Sequence, residues 1–97
     1  MTPDRGKVKK IRRYRVKEDV ISQDLEGEEV ILDLSRKIYY GLDPVGTKIW
    51  QGLQDQKSTD QITAGILREY DVGEKNLAED VKKFCKDLEK HALIEQV

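Results

Sequence analysis

The sequence predicts an α+β domain, a three-stranded antiparallel meander followed by three helices. Residues 12–42 alternate apolar and polar side chains in β-branched and aromatic runs, and these runs are interrupted by the turn-like "LEGE" and "LSRK". After residue 43 the apolar spacing changes to three and four, the period of a helix face. Capping residues stand where all three of those helical segments begin.

The strands are "RYRVKEDVIS", "EEVILDL" and "KIYYGL". Side chains of a strand alternate between faces, so Val30, Leu32 and Leu34 share one face. Ile38, Tyr40 and Leu42 likewise share one, which leaves Tyr39 opposite. The last strand of the meander is placed at a sheet edge and has no proline to block pairing with another chain.

Asp43 supplies an N-cap oxygen and Pro44 suits the first turn of a helix over about 44–54, because its missing N–H had no partner there anyway. Val45, Ile49, Trp50 and Leu53 form its core stripe, with Trp50 as an anchor. Ser58 and Gln61 have capping-box spacing and open a second helix over about 59–69. Its buried side is Ile62, Ile66, Leu67 and Tyr70, and Gly65 suggests a close helix contact at a cost of about 1 kcal/mol in propensity. The third helix is predicted over about 75–91, capped through Asn76 and Glu79. Its stripe is Leu77, Val81, Phe84 and Leu88, widened by Ala78 and Cys85 enough to wall a groove. "ALIEQV" reads as a short extended tail against the sheet.

Composition bounds the function. Ninety-seven residues, 37% hydrophobic and 38% charged, make one small domain over 12–97 preceded by a basic, flexible tail over 1–11. There is neither a membrane-length apolar run nor a secretory signal, so the expected location is cytoplasmic with no membrane partner. The lone cysteine, Cys85, excludes an internal disulfide and reads as a small core hydrophobe. His91, near a helix end, suits contact with terminal carbonyls. Lys82, Lys83, Lys86 and Lys90 read first as a solvated face of the third helix.

The sequence carries no phosphate loop, metal-ligand cluster or nucleophile-base set, so the expectation is a binding module without enzyme activity, cofactor or metal. One candidate class is a winged-helix DNA-binding regulator, which would present the third helix to base edges. That helix has no arginine. Residues 1–17 carry +7 and the remainder −8, a balance that disfavours nucleic acid as a partner. The other class accepts an extended peptide as an added strand on the open edge, next to side-chain pockets.

The segments "VILDLSRKIYYGLDPVGTKIW", "STDQITAGILREYDVGEKNLAEDV" and "LEKHALIEQV" together resemble the PqqD-like proteins, the peptide-recognition elements of pathways that modify ribosomally made peptides. The similarity covers about residues 14–95 and is greatest to the free-standing leader-binding proteins of lasso-peptide pathways. It implies a winged helix-turn-helix-like fold that binds a precursor's leader, with a Tyr-x-x-Pro type motif, as a strand beside the third strand. The implied partners are a separate leader peptidase and, as a further candidate, a cyclase. The same resemblance leaves open an adaptor for a radical SAM peptide-modifying enzyme. Carried onto this sequence, the peptide-binding positions are Ile38, Tyr39 and Tyr40 on the strand, with Ala78, Val81, Lys82 and Cys85 on the helix. Lys37 and Ala92 stand where such proteins often have glycine, so a left-handed backbone there carries a cost of about 1 kcal/mol each.

Overall fold

The computed structural model describes residues 12–97; the basic segment 1–11 lies outside the described residues. The order is β1 (Tyr14–Val16), β2 (Val20–Leu25), β3 (Glu28–Asp33), β4 (Ile38–Gly41), α1 (Pro44–Gln54), α2 (Thr59–Glu69), α3 (Glu74–Lys90) and β5 (Ile94–Gln96). The predicted meander is present as β2-β3-β4, with β4 at one edge.

The first predicted strand divides in two. The Lys17 carbonyl accepts the Val20 N–H at 3.1 Å, closing a turn through the charged "KED". The piece before it, β1, pairs antiparallel with β5 instead of with β2. The "ALIEQV" tail is thus held by its own partner strand, and Arg15 and Glu95, directly opposite each other, form an ion pair across it.

Turn chemistry sets the register of the meander. Glu26 (φ 58°) and Gly27 (φ 89°) form a two-residue hairpin between Leu25 and Glu28, and two successive positive φ angles match the right-handed twist of the strands. Between β3 and β4, Asp33 Oδ1 accepts the N–H groups of Ser35 and Arg36, and Lys37 closes the loop at φ 58°. The substitution of lysine for glycine there does require a left-handed backbone.

Val30, Leu32 and Leu34 do share a face, but it points away from the helices. The core face of β3 is Glu29, Ile31 and Asp33, all buried. The Asp33 carboxylate caps the following turn, and the backbone N–H of Glu29 donates to Thr47 Oγ1 of α1 at 3.0 Å. Glu29 Oε2 is the one buried side-chain oxygen without a partner among the described residues.

The helices cover that inner face. Asp43 Oδ1 accepts the Gly46 N–H at 2.7 Å, Pro44 occupies the first turn, and Ile49, Trp50 and Leu53 are buried. The Trp50 indole N–H donates to Ser22 Oγ at 3.0 Å, pinning α1 to β2. In α2 both capping-box bonds form between Ser58 and Gln61. The expected close approach is not at Gly65, where an added Cβ would meet nothing within 4 Å. It is at Gly52 of α1, where a Cβ would lie 2.6 Å from Ile62 Cγ1.

Helix α3 begins one residue earlier than predicted, at Glu74, and its N-cap is Gly73 with no side-chain cap bond, so the Asn76 and Glu79 arrangement does not form. Its C-terminus ends in a Schellman motif: the Leu93 N–H reaches the Leu88 carbonyl and the Ala92 N–H reaches that of Glu89, with Ala92 at φ 59°. The buried stripe is Leu77, Val81, Cys85 and Leu88, which puts Cys85 at its centre and Phe84 on its flank. Burial pushes the Cys85 thiol up to about 12, as suits a small hydrophobe. No helix is long and apolar enough to cross a membrane among the described residues.

Candidate functional site

The free edge of β4 is defined by the ladder on its other side. The Leu42 N–H donates to the Glu29 carbonyl, and Asp33↔Ile38 and Ile31↔Tyr40 are opposed pairs. Because bonded and non-bonded pairs alternate in an antiparallel ladder, residues 38, 40 and 42 turn their backbone groups toward β3. Tyr39 and Gly41 therefore turn theirs to the open edge. An incoming strand would find two N–H donors and two carbonyl acceptors there.

Side chains follow the opposite alternation. Ile38 and Tyr40 lie on the helix side of the sheet with Ile31, and Tyr39 lies on the outer side beside Leu32. Tyr39 is 71% exposed. Tyr40 is half-buried, its ring meeting that of His91 edge-on at 5.6 Å. His91 in turn bonds the Asp87 carbonyl through Nδ1, and its own carbonyl accepts from Arg36. These contacts fix the end of α3 against β4.

Between the end of β4, the start of α1 and the flank of α3 runs a groove of about 630 Å³. Its apolar floor is Leu42, Val45, Ile49 and Phe84, and its α3 wall carries Asp80, Lys83 and Asp87. Asp43 adds a third carboxylate at the helix-capping position. Gly46 brings the α1 backbone close to Phe84, since a Cβ there would lie 3.6 Å from the ring.

The sequence-derived positions are divided by this geometry. Ile38, Tyr39 and Tyr40 lie on the edge strand. Val81 and Cys85 are fully buried in the core, and Lys82 borders a different concavity on the far flank of α3. Ala78 is half-buried and does not line the groove. Sequence reasoning missed the wall residues Asp80, Lys83 and Asp87 and placed Phe84 in the apolar stripe without assigning it to the groove. An apolar stripe reveals which side of a helix is buried, but not which flank its neighbouring strand occupies.

No curated protein matches the chain. Among solved structures, TbiB1 in complex with the TbiA(beta) leader peptide is 32% identical, with a TM-score of 0.79 over 84% of this chain and 94% of that one. A lasso peptide synthetase B1 complexed with the leader peptide, 20% identical, has the same fold, with a TM-score of 0.78 over 84% of this chain and 96% of that one. The family described as coenzyme PQQ synthesis protein D (PqqD) matches residues 28–94. That match runs from the first residue of β3 through all three helices into β5, more than half of the sequence, and the chain belongs to the PqqD family.

Proposed function

We propose that this chain binds the leader of a ribosomally made precursor peptide as a fourth strand on β4 and delivers it to a processing peptidase in lasso-peptide biosynthesis. The observation that carries the reading is the open edge at Tyr39 and Gly41 beside an apolar groove flanked by α3. Likeness to TbiB1, described in complex with a leader peptide, supports the same ligand class. Main-chain bonds to the edge supply affinity without regard to sequence, and alternate guest side chains entering the groove supply selectivity.

In this arrangement Ile38 and Tyr40 meet guest side chains on the groove side, and Tyr39 meets those on the outer side. Phe84 forms the apolar wall, and Val81 and Cys85 support it from beneath. The protein performs no chemistry in this role: tethering raises the substrate's effective concentration at the peptidase. One second reading, implied by the family resemblance, is delivery of a peptide to a radical SAM modifying enzyme, which would use the same groove. Titrating fluorescently labelled lasso-peptide leaders, the TbiA(beta) leader among them, tests the proposal, with an expected affinity near micromolar, about −8 kcal/mol. Failure to bind below millimolar concentration would sink it, and a neighbouring peptidase or radical-enzyme gene separates the two deliveries.

A further inference from the structure

Helix α3 carries opposite charge on its two flanks. Asp80 and Asp87 face the groove, together with Asp43. On the other side a pocket of about 500 Å³ opens between α3 and the start of α2, ringed by Arg12, Lys82, Lys83 and Lys86 against Glu79 alone. Lys83 borders both concavities. Among the described residues none of the four cations is in an ion pair.

The pocket is held in shape. Tyr14, 3% exposed, lines it from the core, and the Thr59 N–H in the first turn of α2 donates to the Arg12 carbonyl at 3.2 Å, fixing the Arg12 backbone at the rim. The α2 N-terminus adds its own partial positive charge. In the sequence Arg12 directly follows a segment containing Lys7, Lys9 and Lys10.

We propose that this pocket is a subsite for acidic residues of the same guest peptide whose strand segment pairs with β4, the chain crossing from groove to pocket over Lys83. The inference rests on the leader-binding reading and deepens it. A peptide can change charge along its length, whereas a nucleic acid crossing the same ridge would place phosphates against Asp43, Asp80 and Asp87 and against a body of −8 over residues 18–97. A helix is about 10–12 Å wide and an extended chain covers ~3.3 Å per residue, so about four residues separate the strand segment from the acidic one.

Two titrations of the full chain test this. The first adds a triglutamate peptide to ¹⁵N-labelled protein at low salt; amide shifts at Thr59, Lys82 and Lys86 are expected, and their absence overturns the proposal. The second compares the TbiA(beta) leader peptide with versions carrying a spacer of about four residues and three glutamates at either end. One extended version is expected to bind about tenfold more tightly, with the gain lost in about 0.5 M salt and in a Lys82→Glu, Lys86→Glu double variant but kept in Arg68→Glu. Amide shifts without any gain from the extension refute use of the pocket by the guest. If the unextended leader fails to bind while triglutamate still shifts those amides, the leader reading falls and this assignment falls with it.

Discussion

Replacing Gly41 by proline separates the open edge of β4 from its paired edge. Gly41 stands opposite Val30 in a non-bonded pair, so its N–H is not used by β3 and its loss leaves the meander's ladder intact. A Cβ at this position meets nothing within 4 Å. Proline removes one donor from an incoming strand, and its ring holds that strand away from the neighbouring carbonyl. Two hydrogen bonds at about 0.5–1.5 kcal/mol each give a loss of about 1–3 kcal/mol, or roughly 5- to 150-fold in affinity. Fluorescence anisotropy with the labelled leader measures it, with circular dichroism and melting to show that the variant is folded. Gly41→Ala, which keeps the N–H, should stay within about twofold because its Cβ has open space. A folded Gly41→Pro protein that binds as tightly as its parent would refute strand addition at this edge. Ile38→Pro is the poorer test, since the Ile38 backbone faces β3.

The glycines of the helices should respond in opposite directions to alanine. Gly52→Ala is expected to destabilise by about 1–3 kcal/mol through collision with Ile62, and Gly65→Ala to stabilise by about 0.5–1 kcal/mol, both read from urea unfolding. Ala92→Gly and Lys37→Gly should each add about 1 kcal/mol by relieving a left-handed φ, visible as raised melting temperatures. Phe84→Ala removes the aromatic wall and should weaken leader binding by roughly tenfold with only a modest loss of stability, whereas Val81→Asp should unfold the protein because Val81 has no exposure. Cys85 should resist thiol reagents in the native state and react at the rate of unfolding. With its folded pKa raised to about 12, the native state binds more protons than the unfolded one between about 9 and 12, so stability should fall as pH rises through that window.

Local chemistry was legible in the sequence where a few neighbouring residues decide it. Asp43 with Pro44, and Ser58 with Gln61, set two helix starts because each cap closes within one turn. The left-handed backbone at Lys37 and Ala92 was indicated only through the family resemblance, which often has glycine at both positions. Where distant segments compete, the pattern misled or was silent. The long first strand splits because Tyr14–Val16 finds β5, some eighty residues away, as its partner. Val30 and Leu32 face outward while Glu29 and Asp33 face inward; the Asp33 carboxylate finds its partners in the following turn, whereas the buried Glu29 Oε2 finds none among the described residues, and no alternation rule foresees either placement.

The candidate site shows the same division. The edge strand and its tyrosines were readable from order in the meander, because the last strand of three has only one neighbour. The wall was not, because Asp80, Phe84 and Asp87 become a groove only when the Schellman turn at Ala92 and the Tyr40–His91 contact bring that flank beside β4. Helical spacing alone separates Lys82 and Lys86 on one flank of α3 from Asp80 and Asp87 on the other, but it does not tell which flank meets α2 and which meets β4.

Strand addition is tested most directly by amide hydrogen exchange of β4 with and without the leader. Ile38 and Tyr40, already paired with β3, should be protected in both states, whereas the amides of Tyr39 and Gly41 should exchange freely alone and become protected when the leader is bound. Saturating leader that leaves Tyr39 and Gly41 exchanging at their free rates would contradict the assignment of this edge as the docking site.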